Sequence, residues 1–104
     1  MQVAWHLDAQ GEFDAAVDWY DARRAGLGDR FEAAVDDLVH GVAEWPESGA
    51  VWPGWDSIPV VRSFRVAGFP YRLVYLVQAK ELVIVALAHQ KREPGYWRNR
   101  LAGT

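Results

Sequence analysis

The sequence predicts an α+β domain: an N-terminal strand, an antiparallel helical hairpin, then a three-stranded antiparallel meander (β-α-α-β-β-β), with the helices on one sheet face. Three observations predict it. The stretch "QVAWHL" alternates as a short strand does. Two apolar stripes at helical spacing follow, separated by Gly26. After a loop rich in Gly, Pro and Ser come three runs dominated by β-branched and aromatic residues.

Taken in order, the first helix is set by Phe13, Ala16, Val17 and Tyr20, which fall at i, i+3, i+4 and i+7. Asp8 is its expected N-cap, and Arg23 and Arg24 suit the negative end of its dipole. Gly26 breaks the helix, and the shortness of the break makes an antiparallel hairpin. Leu27, Phe31, Val35, Leu38 and Val42 form the second stripe, which Pro46 ends. Glu12, Asp14, Asp18, Asp21, Glu32, Asp36 and Asp37 are expected to face water. "ESGAVWPGWDS" reads as a loop, and Trp52 and Trp55 in it are either lids on the core or an exposed contact patch. The strands are expected at about Pro59–Val66, Tyr71–Val77 and Leu82–His89, with turns at "AGFP" and "QAKE".

A symmetric "QAKE" turn sets Val77 against Leu82, Tyr75 against Ile84, Leu73 against Ala86 and Tyr71 against Ala88. The opposite face then carries Arg72, Val74, Leu76, Val83, Val85, Leu87 and His89. Both faces are apolar at their centre. Helices cover one. The other has a basic rim and, left open, would mark a partner site. A slip of one residue would exchange the two faces.

The 104 residues make one domain, 1–104. There is no cysteine, so disulfides and thiolate metal sites are excluded. His6, His40 and His89 lack metal-ligand spacing, and no metal or cofactor is expected. The N-terminus turns acidic at once, without the apolar core of a signal peptide, and no apolar run is long enough for a membrane span. A cytoplasmic location, with no membrane partner, is therefore expected. The net charge of −3 conceals a split. Residues 1–57 hold three arginines against twelve acids, and residues 58–104 hold eight cations against two acids. A basic working face opposite an acidic solvated one follows from that split.

The stretches "WYDARRAGLGDRF", then Arg62, "FPYRLVY" and "IVALAHQKREPGYWRNR" resemble the ParE/RelE superfamily of toxins from bacterial type II toxin–antitoxin modules, on the ParE-like side. The resemblance covers almost the whole chain. It implies a compact toxin neutralised by a cognate antitoxin protein. ParE-like members poison DNA gyrase by binding, and RelE-like members cleave mRNA on the ribosome. The fold hosts both activities. Under the second reading Arg65, Arg72, Arg92 and Tyr96 would be catalytic, with cations on the phosphorane and a tyrosine as acid. Against that reading, "IPVVRSFRVAG" has no lysine, and a pI near 5.5 argues mildly against an RNA partner, though the basic second half keeps it open. ParE-like gyrase binding is therefore favoured, with ribosome-dependent endonuclease activity as the alternative.

The residues expected to bind antitoxin or target are Arg62, Arg65, Arg72, His89, Arg92, Tyr96, Trp97 and Arg100. Several have a structural alternative. Arg62 is equally suited to an ion pair with a helix acid. Arg92 is as well placed to close its strand. His89 is either a base or a hydrogen-bonded structural residue. Tyr96 and Trp97 are more at home packed over the sheet edge than stacked on a base.

Overall fold

The computed structural model describes residues 1–102. Strand β1 (Gln2–Trp5) leads into helix α1 (Leu7–Arg23), α2 (Leu27–Glu44), a two-residue strand β2 (Ala50–Val51), β3 (Arg62–Arg65), β4 (Tyr71–Gln78) and β5 (Glu81–His89). A 3₁₀ turn (Tyr96–Arg98) and a short helix α3 (Asn99–Ala102) follow. The sheet order is β1-β5-β4-β3-β2, with β1 parallel to β5 and every other pair antiparallel.

The α+β class and the element order match the expectation, and the differences are local. The cap of α1 is His6, whose Nδ1 accepts the Asp8 N–H at 3.1 Å, so Asp8 lies in the first turn instead. Strand β3 begins three residues later than expected. Pro59, lacking an N–H, stays outside the ladder. Ala50–Val51, within the expected loop, pairs with β3 as a sheet edge.

The hairpin break is held tightly. Gly26 adopts φ +86°, which an L side chain resists. The α2 N-terminus has no cap from its own Ncap residue. Asp21 on α1 substitutes, accepting the Gly28 N–H at 2.7 Å. A Cβ on Gly28 would sit 2.5 Å from the Asp21 Cγ and 2.6 Å from the Val17 carbonyl, so this close approach of the two helices needs glycine.

The helices bury their stripes on one sheet face. Phe13, Ala16, Tyr20, Phe31, Val35 and Val42 pack against Leu73, Tyr75, Leu82, Ile84 and Leu87. Tyr20 and Phe31 anchor an aromatic cluster with Phe69 and Tyr71, at centroid distances of 5.0 and 6.4 Å for Tyr20 and 4.9 and 5.1 Å for Phe31.

The register departs from expectation halfway along the hairpin. Val77 faces Leu82 and Tyr75 faces Ile84, as read from the turn. A bulge then intervenes, so that Val74 faces Ala86, Leu73 faces Leu87, Arg72 faces Ala88 and Tyr71 faces His89. The expected pairings Leu73–Ala86 and Tyr71–Ala88 do not form. One extra residue on β5 exchanges the faces beyond it. Leu87 therefore joins the helix-side core, while Ala86 and Ala88 join the other side.

That other side is not open. Val61, Val74, Leu76, Val85 and Ala86 form a second buried cluster with Trp97, against which Trp52, Trp55, Tyr96 and Leu101 pack. The expected bare platform is sealed by the chain's own C-terminal segment and by its tryptophan loop. The reason lies in the bulge: two alanines face outward there, and the space above them accepts an indole. Trp97 is fully buried, with its ring centroid 5.0 Å from Trp52 and 6.0 Å from Trp55. Trp52 and Trp55 are thus lids on this second core.

Candidate functional site

Beyond Trp5, β1 ends, and from Val85 onward β5 has no strand on that side. The free edge is closed by side chains. The Leu87 N–H donates to Glu12 Oε1 at 3.0 Å, and Arg100 Nη1 donates to the Val85 carbonyl at 2.9 Å. Arg100 and Glu12 meet in a two-pronged ion pair at 2.9 and 3.0 Å, and the Tyr96 hydroxyl donates to Glu12 Oε2. The Arg100 and Glu12 side chains are only 10% and 17% exposed. This clamp joins helix α1, strand β5 and the C-terminal segment, and it holds Trp97 on the sheet.

Glu12 therefore does not face water, contrary to the sequence reading. The signal was present: Glu12 lies three residues after Ala9 and four before Ala16, on the buried stripe itself. Arg100, expected at a partner surface, is internal.

Arg62 is also internal, though not as an ion pair to a helix acid. Its Nη1 donates to the Glu47 and Gly49 carbonyls at 3.1 and 2.9 Å. The Tyr75 hydroxyl donates to the Pro46 carbonyl at 2.8 Å and accepts the Gly49 N–H at 3.0 Å. Together the two residues fasten the loop after α2 to the sheet.

The remaining expected residues gather at one end of the sheet. Arg65 and Arg72 are directly opposed on β3 and β4. Like charges so placed repel, and neither forms an ion pair among the described residues. Arg72 Nε donates to the Ser63 hydroxyl at 3.2 Å. Arg92 is exposed, also without an ion pair, and lies with Cζ 3.8 Å from the Tyr96 ring centroid. His89 stacks edge-on to Tyr71 at 5.0 Å. Its Nδ1 accepts the Lys91 N–H at 3.0 Å, so the neutral ring keeps its proton on Nε2.

Two concavities flank this end. A groove of about 600 Å³ runs between α1 and the sheet, lined by Glu12, Trp19, Tyr20, Tyr71, Leu87 and the ends of β4 and β5. Trp19, half exposed and crossed by Arg23 at 4.2 Å, is a groove residue that the sequence reading did not single out. A smaller cavity of about 160 Å³ opens on the other face, beside Trp52, Arg72, Ala88 and Trp97. His89, Arg92 and Tyr96 line both. Among the described residues no three His, Cys, Asp or Glu side chains gather as metal ligands would, and no helix is long and apolar enough to cross a membrane.

Burial raises the pKa of Tyr96 far above the ordinary tyrosine value, and its hydrogen bond to Glu12 and the charge of that carboxylate add to the effect. Tyr20, Tyr71 and Tyr75 are raised as well, chiefly by burial. The sign follows from linkage. Above about pH 10 the unfolded chain gives up tyrosine protons that the native chain keeps, so the tyrosine contribution to stability is constant below that pH and falls above it. Urea midpoints compared at about pH 9 and about pH 11, on either side of the free tyrosine value, should show this loss. Tyr96→Phe should lessen the slope while costing about 1.5–3 kcal/mol at neutral pH, as a hydrogen bond to a charged group is removed. An unchanged slope in that variant would show that Tyr96 is not the residue protected.

No curated protein matches the chain. Among solved structures, a chain from the chromosomal ParDE toxin–antitoxin system of P. aeruginosa is similar, with a TM-score of 0.59 and 25% identity, over 86% of this chain and 95% of that one. The family model described as the ParE toxin of the type II toxin–antitoxin system parDE matches residues 3–94. With a helical hairpin on a five-stranded sheet and a match along nearly its whole length, the chain belongs to the ParE toxin family.

Proposed function

We propose that this chain is the growth-inhibiting half of a type II toxin–antitoxin pair, that it acts by binding rather than by chemistry, that its target is DNA gyrase, and that it works in the cytoplasm. The observation that carries the second point is the commitment of the acid–base groups. The Tyr96 hydroxyl spends its hydrogen bond on Glu12, the His89 Nδ1 lone pair is taken by the Lys91 N–H, and β3 offers no lysine. What remains at the sheet end, without an ion pair among the described residues, is cationic contact surface: Arg65, Arg72 and Arg92. Purified toxin should inhibit gyrase supercoiling, and Arg72→Ala with Arg92→Ala should relieve the inhibition at least tenfold, about 1.4 kcal/mol of binding. Full supercoiling at a large molar excess of the native toxin would remove the gyrase assignment.

One observation favours a second reading. Arg72 and Arg92 line one cavity, and Arg65 is paired with Arg72 across the strands, an arrangement of cations suited to a phosphate. A ribosome-dependent mRNA endonuclease would use them with Tyr96 as acid. Primer extension on translated mRNA should then show A-site cuts that disappear in Tyr96→Phe. Expression without antitoxin sorts these readings cheaply, because filaments, a translation stop and normal growth are distinct outcomes.

The antitoxin's docking surface follows from what the fold leaves available. The second sheet face is sealed, so the apolar side chains of the antitoxin fit the groove between α1 and the sheet. Trp19, Tyr20, Tyr71 and Leu87 supply its apolar wall, with Arg92 and His89 at the rim for carboxylates. Salt should slow that association more than it weakens the complex.

A further inference from the structure

Resting on that toxin–antitoxin reading, we propose that Arg92 is a single guanidinium shared by two binding sites, so that an antitoxin carboxylate in the α1 groove and an oxyanion of the target in the Trp52–Arg72 cavity exclude one another. The antitoxin then neutralises the toxin without having to cover the target surface. Three observations support this.

First, the two concavities lie on opposite faces of the sheet and meet only at His89, Arg92 and Tyr96. Of these, Tyr96 is pinned by Glu12 and His89 by the Lys91 N–H and the Tyr71 ring. Arg92 alone is held by a face-on ring contact, which leaves its donors unspent.

Second, the charges are arranged for this choice. Glu12, the one acid lining the groove, is neutralised by Arg100. Arg92 is therefore the uncompensated charge at the groove's rim, and a carboxylate beside an apolar side chain is its complement. In the other cavity Arg92 lies with Arg72, and Glu93 is the sole acid in the lining. An oxyanion there gains most when both guanidinium groups serve it.

Third, the two occupants are coupled even if the guanidinium touches both. An anion on either side cancels the positive potential that attracts the other.

The test uses the full chain labelled with ¹⁵N and two small probes. The first is 4-phenylbutyrate, an apolar body with a carboxylate, for the groove. The second is inorganic phosphate, for the Arg72 cavity. Phenylbutyrate should shift the Trp19 indole and the Arg92 Nε signals, and phosphate should shift those of Arg72 and Arg92. With phosphate at ten times its own Kd, the apparent Kd of phenylbutyrate should rise about elevenfold under simple competition. Chloride at equal ionic strength controls for screening.

Arg92→Ala, an exposed and unpaired position, should fold normally, weaken both probes and abolish the competition. Acetate in place of phosphate separates a protein carboxylate from a nucleic-acid phosphate as the natural occupant. The proposal is overturned if both probes bind without mutual weakening, if the competition survives Arg92→Ala, or if neither probe moves Arg92 Nε at tens of millimolar. None of these outcomes depends on gyrase or growth assays, so the toxin reading can fail separately.

Discussion

Replacing Trp97 with alanine should destabilise the protein by about 3–5 kcal/mol. The indole is fully buried and forms the centre of the second core, between Trp52 and Trp55 above and Val74, Leu76, Val85 and Ala86 below. Collapse into the void is limited because the floor is a hydrogen-bonded sheet and the facing residues include alanines. For a domain of this size each kcal/mol lowers Tm by roughly 4–8 °C, so the melt should move by tens of degrees. Trp97→Phe should recover part of the loss. Urea unfolding followed by circular dichroism measures both. A cost below about 1 kcal/mol would mean that the C-terminal segment does not close the second face in solution, because only a largely exposed aromatic is lost so cheaply.

The second large effect is expected at Glu12. Alanine there leaves Arg100, a side chain only 10% exposed, with only the exposed Asp8 carboxylate 3.9 Å from its Nε, and it strips partners from the Tyr96 hydroxyl and the Leu87 N–H. Removing one member of such a buried pair costs about 3–5 kcal/mol, since the remaining charge is stranded. Arg100→Met should be similarly costly alone. The double variant should be less destabilised than the sum of the two by about 2–3 kcal/mol, because residues in one network are coupled. Strict additivity would show that the clamp is not formed in solution. As Glu12 also contributes to raising the Tyr96 pKa, Glu12→Ala should bring tyrosine ionisation to lower pH, which tyrosinate absorbance reports independently of stability.

Much of the architecture was legible in the residues. The two helical stripes, the glycine break and the three β-rich runs are local patterns, and each forms its expected element, with only the start of β3 displaced. The first half of the β4–β5 register was legible too, because the turn sets it. The second half was not, since a bulge depends on how both strands fit their neighbours. From that slip follow the positions of Leu87, Ala86, Ala88 and His89.

The site was legible in part. Arg65, Arg72, His89, Arg92 and Tyr96 do meet at one end of the sheet. Arg62, Trp97 and Arg100 look the same in sequence, as large cationic or aromatic residues near the chain's basic half. The fold uses them to pin a loop, fill a core and hold a clamp. Nothing in residue type distinguishes a guanidinium that binds a partner from one that caps a backbone carbonyl.

Order of elements, the charge split and the ParE likeness are determined by the sequence itself, because periodicity, turn chemistry and composition act over a few residues. That neither sheet face is left bare, and which arginines remain for a partner, is decided only in three dimensions. One extra residue in β5 turns two alanines outward, an indole lodges over them, and a carboxylate from a distant helix locks it there. Each of these steps joins residues on different elements, which no local pattern encodes.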